Sequence, residues 1–586
     1  MMIESPFFVC KQKNQASNIS VTYENVGMGI SLVRILFAFD SRVTPDQARF
    51  TFTVPCVDVH STWRPVGGAV RNVAPNWRKL TAASRLASGA PVLSMISKGG
   101  NNRVTVALSD AQTPCTIGCG VLEETAELEF RIDLFTQLVS PLDSYEIAVR
   151  IDQRDIPFYD ALADVEKWWH DDLGFAGAYV PDAAKMPVDS LWYSFHQELD
   201  PASILAECKA SKALGMDTVI IDDGWQTDDN HRGYEYCGDW KLAKEKIPDL
   251  KKLVDDLHAI GMKVMLWFSV PYVGIYSGAY AEFEDMYLCS AARNRTVMVL
   301  DPRYKKVRDY LSNIYVSAVK SYGLDGLKLD FIDAFSLSEM SVDKTFEDGN
   351  VSLENGVEML LSEVMEKLRA INPEILIEFR QTYVGPTIRK YGNMLRVADC
   401  PNDTQSNRNG IIDLRLISGS TAVHSDMIMW HRDETNEAAA AQLLAVMFGV
   451  PQISLRIPEL KEDHRRLLAY FLSFWREHRD VLLEGKLIVK DPDVCYSLVM
   501  AQKDQKTIAV RYLSVPFEVQ ENNSYRLFNA TTDENVTILA NSALGFDYKI
   551  FDCLGNTVGS GRISDTAVAL LKVPASGNVE LLPIKS

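Results

Sequence analysis

Carboxylates and tryptophans recur in this chain just after short apolar runs. One run ends in Asp222, Asp223, Gly224, Trp225 and Gln226, and another in Trp267, Phe268 and Ser269. A third reads Lys328, Leu329, Asp330. Later runs close on Glu378 and Arg380, on Arg396 and Asp399, and on His424 and Asp426, with Trp430 and His431 just beyond. Only 9 histidines are present, and none forms a metal-binding pair of the H-E-x-x-H kind. There is no G-x-S-x-G elbow and no phosphate-cradling glycine loop. Carboxylates with flat aromatic faces, and no metal set, are what sugar chemistry needs. A glycosidase requires two carboxyl groups flanking one bond. Aromatic faces pack on the C–H side of a sugar ring, and further charged groups hold its hydroxyls. No cofactor and no metal is required.

The run at 326–330 is the most informative. Side chains alternate along a strand, so Lys328 and Asp330 share one face while Leu327, Leu329 and Phe331 take the other. A buried Lys–Asp pair is costly unless each member supports the other. A nearby ammonium also keeps Asp330 ionised, as a nucleophile requires. A plain ion pair at the rim of the fold would give the same spacing.

Elements that present these residues follow a strand–helix rhythm. Eight strands are expected at 192–196, 218–222, 263–269, 326–330, 375–380, 395–399, 422–428 and 452–457. Amphipathic helices at 248–260 and 357–371 lie between them, the first stopped by Gly261. Eight βα units over about 290 residues predict a (β/α)8 TIM barrel, whose active site lies at the C-terminal strand ends. A doubly wound sheet is the rival, but its G-x-G-x-x-G turn is missing. Before the barrel, β-branched runs at 30–39, 50–57, 104–108, 128–134 and 145–151 predict a β-sandwich. After it, short runs from 508 to 573 predict a small C-terminal β-sandwich. The fold class is therefore α/β plus all-β, with domains at 1–175, 176–484 and 485–586.

The composition limits partners. Charge is −18, from 60 basic and 78 acidic residues, which argues against nucleic acid, polyanions and anionic membranes. No apolar run reaches a membrane span and the N-terminus lacks a basic signal region, so a cytoplasmic location is expected. Ten scattered cysteines read as free thiols; Cys115 and Cys119 lack the second pair a zinc site needs. A homo-oligomer is compatible with the sequence.

Four stretches carry a family resemblance: VIIDDGWQ (219–226), GDWKLAKEKIPDLKKLVDDLHAIGMKVMLWFSVP (238–271), DGLKLDFID (325–333) and LRVADCPNDTQ (395–405). In this order they resemble the α-galactosidases of glycoside hydrolase family 36, and more distantly family 27. The resemblance implies a retaining, two-step hydrolysis of a small α-galactoside through a covalent glycosyl-enzyme. It implies Asp330 as nucleophile and Asp399 as acid/base, with Asp403 the runner-up. Asp222 and Asp223 then match residues that bind O4 and O6 of galactose. Trp267, Lys328 and Arg396 match further sugar contacts, with Trp225 in the same motif set. Trp192 is a candidate platform at the first strand, and Trp63 a weaker match from the N-terminal region. The spacing agrees with this pairing. Barrel strands four and six lie about 10 Å apart at strand separations of ~4.8 Å. Two inward Asp side chains of roughly 2.5 Å each leave about 5 Å between carboxyls, the retaining separation.

One departure stands out. Where the family carries a Gly-rich, Cys- or Ser-centred motif contacting O2, this chain reads EFRQTYVGP, with Arg380, Gln381 and Tyr383. A bulky cation there changes what fits at O2, so α-N-acetylgalactosaminidase is an alternative. A raffinose-synthase-like galactosyl transferase would use the same residues. A carbohydrate-binding protein on a barrel scaffold, and a metal-dependent phosphohydrolase built on Asp222, Asp223 and Asp330, are the readings from other classes.

Overall fold

The computed structural model describes residues 8–584 except 13, 79, 343, 345, 347–350 and 381, and side chains at 541–544 and 565 are also outside the description. Gln381 thus lies outside the described residues.

Two antiparallel six-stranded sheets open the chain. One pairs Val9–Gln12, Ala48–Pro55, Glu127–Leu134, Cys115–Leu122, Leu80–Arg85 and Ser88–Gly89; the other pairs Asn18–Gly27, Ile30–Val43, Leu142–Asp152, Asn102–Leu108, Val92–Ile96 and Ser61–Trp63. Alternation puts Val33, Ile35 and Phe37 of one sheet against Phe50, Phe130 and Ile132 of the other, which gives the sandwich its core.

Eight parallel strands then close into a barrel: Val188–Ser190, Thr218–Ile221, Lys263–Ser269, Gly326–Asp330, Leu376–Arg380, Met394–Arg396, Ala422–Ile428 and Val450–Ile453. The last pairs with the first through Val188 and Gln452. Val188, Ile220, Met265, Leu376, Met394 and Ala422, from the starts of the strands, plug the N-terminal end of the barrel. Charged side chains fill the other end. Register sets Trp267 beside Lys328 and Ser269 beside Asp330. It also sets Lys328 beside Glu378, and Arg380 beside Arg396. The helices cover the outside as their periodicity requires. Leu250–Ala259 buries Leu250, Leu253, Val254 and Leu257 and starts at Asp249, whose carboxylate accepts from the Lys252 N–H.

The first strand differs from expectation. Residues 188–190 form it, and Trp192–Phe195 is a single helical turn instead. Its three residues include Asp189 and Ser190, both fully buried, so neither apolar content nor alternation marks it. Phe331 is a second difference. It leaves the strand in a left-handed conformation, φ 62°, rather than joining Leu327 and Leu329 on the outer face.

The C-terminal eight strands form one hydrogen-bonded sheet around a core of Leu527, Val536, Ile550 and Val579. Residues 536–539 and 548–551 belong to one strand, Asn535–Phe551, which returns as Thr557–Lys572. A single carboxylate ties the three regions together. Asp413, on the helix Thr404–Arg415, accepts from Trp63 Nε1 at 2.8 Å, from Arg71 Nη2 at 2.7 Å and from the Tyr496 hydroxyl. Trp63 is therefore a buried anchor, its indole N–H committed to Asp413.

Candidate active site

Asp330 ends the fourth strand, and three donors surround it. Trp267 Nε1, from the third strand, donates to Oδ2 at 2.9 Å, and the Phe331 N–H to Oδ1 at 2.8 Å. Arg380 Nε, from the fifth strand, also donates to Oδ1. The left-handed turn at Phe331 aims that N–H inward and slides the phenyl ring under the Arg380 guanidinium, 4.6 Å from its centroid. A non-glycine residue held at positive φ costs about 1–3 kcal/mol, and such strain concentrates at functional sites.

Arg380 also reaches Asp399, Nη1 to Oδ2 at 3.1 Å. One planar fork thus touches both carboxylates, which keeps them within the span of a single guanidinium. Their settings differ. The Asp330 side chain is 4% exposed and that of Asp399 is 42% exposed, at the open side of the mouth. Arg396 holds Asp399 from behind at 2.8 Å and pairs with Asp426 on the seventh strand and with Glu378. Burial opposes ionisation of Asp399, but Arg396, Arg380 and Lys328 together outweigh it and hold its carboxyl well below the usual range.

Deeper in the barrel, Lys328 Nζ donates to Asp222 Oδ2 at 2.6 Å, and the other Asp222 oxygen accepts from the Asp223 N–H at 2.9 Å. Asp223 accepts from Gln226 at 2.6 Å and Gln197 at 2.8 Å. Burial pushes Asp223 up to about 6, against the two glutamines. The turn that presents this pair depends on Gly224, at φ 116°, where a Cβ would sit 2.6 Å from the Gln197 Cα.

The structure brings together Asp222, Asp223, Trp267, Lys328, Asp330, Arg380, Arg396 and Asp399. Trp225 is not with them: it stacks on Trp240 at 6.0 Å and lies in the core, its indole N–H on the Trp267 carbonyl. Trp192 is half-buried on its helical turn, edge-on to His196. Asp403 is spent as the N-cap of Thr404–Arg415, accepting from the Ser406 N–H at 3.0 Å and hydroxyl at 2.6 Å. Asp333 accepts from the Thr382 hydroxyl at 2.8 Å. Among the described residues no three His, Cys, Asp or Glu side chains converge as a metal site, and no helix is long and apolar enough to cross a membrane.

The sequence places Glu378 and Asp426 at strand ends, Asp426 where a substrate contact is possible, and assigns no role to Tyr193. The Tyr193 hydroxyl donates to Asp426 at 3.0 Å, so a chain of contacts runs from Tyr193 through Asp426, Arg396, Asp399 and Arg380 to Asp330. Their types at strand ends were visible; their partners were not. Tyr234, from the loop after the second strand, is edge-on to Phe331 at 5.2 Å and near-parallel to Trp267 at 6.2 Å.

A closed parallel barrel whose C-terminal mouth is lined by carboxylates held on arginine and lysine places the chain among the (β/α)8 barrels with a charged mouth. The sequence model of the Melibiase family matches residues 188–485, just over half of the chain, and the chain belongs to that family. The resemblance carried by the four motifs is thereby borne out. The bifunctional α-galactosidase/sucrose kinase AgaSK of Mediterraneibacter gnavus is 26% identical over 198 residues, 32% of this chain and 19% of that protein. The α-galactosidase AgaA of Geobacillus stearothermophilus is 28% identical over 142 residues, 22% of this chain and 19% of its own. These matches therefore span about a fifth of the relatives' length. The structure of AgaA in complex with stachyose aligns over 99% of this chain and 88% of that one, with a TM-score of 0.67 at 14% identity, so the fold is shared throughout. The α-galactosidase of Lactobacillus brevis aligns over 100% and 86%, with a TM-score of 0.64 at 15% identity.

Proposed function

We propose that the protein is a retaining exo-α-galactosidase. The observation that supports this most is the single Arg380 fork between Asp330 and Asp399, with the Lys328–Asp222 pair deeper in the same mouth. Family membership and the α-galactosidase names of its relatives point the same way.

In the first step a carboxylate oxygen of Asp330 attacks the anomeric carbon. The C1–O bond breaks, and Asp399 gives its proton to the departing oxygen. In the second, Asp399 takes a proton from water, the hydroxide attacks C1, and Asp330 leaves as a carboxylate. Burial and three donors suit Asp330 to a fixed nucleophile. Exposure suits Asp399 to exchange protons with leaving groups and water. Asp222 and Asp223 hold hydroxyls deep in the pocket, where a terminal sugar fits.

Acid duty requires Asp399 to carry a proton, yet Arg380 and Arg396 disfavour it in the resting site. Entry of the sugar resolves this if Arg380 exchanges its contacts with the two carboxylates for a substrate hydroxyl next to C1. Its bulk and charge leave little room for an N-acetyl group at that carbon, so galactose is the preferred sugar.

Aryl α-glycosides test the reading, with the α-galactoside and the α-N-acetylgalactosaminide compared directly. Wild-type protein should release the aglycone from the galactoside. Asp330→Ala should lose on the order of 10⁴-fold or more of that activity while keeping its fold. Normal turnover by Asp330→Ala would end the proposal.

A further inference from the structure

Beside Asp399, a groove of about 490 Å³ opens between the N-terminal β-region and the exit of the sixth strand. That is within the roughly 300–1,000 Å³ range of small-molecule sites. Its walls are mostly apolar: Val66 and Ala69 on a loop of the N-terminal region, and Val384, Ala398 and Pro401 on the barrel side. Val66 is 52% exposed, an uncovered apolar side chain lining the groove. Polar groups in the groove are largely spent. The Ser406 hydroxyl donates to Asp403, and Asp413 is held by Trp63, Arg71 and Tyr496. One is not: Asn409 Oδ1, on a residue 2% exposed, has no hydrogen-bond partner. A buried acceptor left unmet costs about 1–3 kcal/mol, which a ligand donor reaching it through a small shift of the Asn409 side chain would recover.

We infer that this groove binds the leaving group, and that the leaving group is a flat apolar alcohol or phenol with a further hydroxyl, rather than a sugar. The inference rests on the galactosidase reading for Asp399, because the residue that protonates the departing oxygen must face whatever departs. A sugar would bring a ring of hydroxyls to walls with few free partners, whereas an aromatic or alicyclic body matches Val66, Ala69 and Pro401. Its one distal hydroxyl would donate to Asn409 Oδ1.

Binding of 2,6-dihydroxynaphthalene to the full chain, followed by calorimetry, tests this without turnover, and 2-naphthol serves as the analogue lacking the second hydroxyl. Wild-type protein and Asp330→Asn should both bind 2,6-dihydroxynaphthalene saturably. Val66→Asp should weaken it about ten-fold. Asn409→Ala should weaken 2,6-dihydroxynaphthalene several-fold and leave 2-naphthol unaltered. In turnover, the preference for a 2-naphthyl over a methyl α-galactoside should fall about ten-fold in Val66→Asp. No saturable binding, or equal affinity in wild type and Val66→Asp, would overturn the inference. Binding with this variant pattern but without hydrolysis of any α-galactoside would uphold the groove and defeat the galactosidase reading.

Discussion

Replacing Lys328 with methionine should destabilise the barrel and abolish turnover, and the two effects should be separable. Lys328 Nζ and Asp222 Oδ2 are 2.6 Å apart, and both side chains are 3% exposed. Methionine keeps the stem and deletes the charge, leaving Asp222 buried without its cation. Removing one partner of a buried pair costs about 3–5 kcal/mol. For a urea dependence of about 3 kcal/mol/M, that moves the unfolding midpoint down by roughly 1–1.7 M. Asp222→Asn combined with Lys328→Met removes both charges and keeps the acceptor for the Asp223 N–H. The double variant should therefore regain the midpoint to within about 0.3 M, since charge loss on both sides is often near neutral. Its activity on an aryl α-galactoside should stay at least about 100-fold down, because the hydroxyl-binding carboxylate is gone. Urea titration and initial rates on the four proteins of the cycle give both readouts. An unchanged midpoint for Lys328→Met would refute the buried-pair argument. Recovery of turnover in the double variant would refute the substrate-binding role.

Arg380→Ala removes one of the cations that hold Asp399 ionised, so the carboxyl should rise toward its ordinary range. The alkaline limb of the kcat/KM profile should then move to higher pH, and an unmoved limb would show that Arg380 does not govern the acid. Glu207 and Asp189 form a second, buried carboxylate pair, where burial first and mutual repulsion next raise Glu207, and burial raises Asp189. A raised native carboxyl keeps its proton while the unfolded one loses it above about pH 4, so stability falls as pH rises from there toward neutrality. Glu207→Gln should flatten that fall by up to about 1.4 kcal/mol per pH unit, measured as urea midpoints from about pH 5 to 7.

Legibility of the fold tracked local pattern. The third, fourth and seventh barrel strands fall at the residues expected, because each runs five or seven residues with apolar side chains bracketing its polar ones, long enough to be read between clear breaks. The first strand was missed because Val188–Ser190 carries two polar residues whose burial is a tertiary fact, while the aromatic run after it has the composition of a strand. In the C-terminal sheet, Gly545 sits inside Asn535–Phe551, where sequence patterning reads it as a break. The site was legible as residue types at strand ends. Which of them meet was not. Trp225 and Trp267 look alike in sequence and both are buried, but the Trp225 indole N–H is taken by the Trp267 carbonyl while that of Trp267 holds Asp330. Asp399 and Asp403 are likewise alike until the helix at 404 takes Asp403 for its cap. The Arg380 bridge joins residues 50 and 19 positions apart, a distance no local pattern encodes.

Asp413 makes the barrel a poor module for transplantation. The stretch shared with the Melibiase family, 188–485, contains that carboxylate but neither Trp63, Arg71 nor Tyr496, the groups that satisfy it. An excised barrel would inherit a charge shaped for a dry junction and expose it with an apolar scar around it. Domain shuffling that respects only the barrel's ends should therefore yield insoluble protein, whereas grafts carrying 61–71 and 491–497 along with it should not.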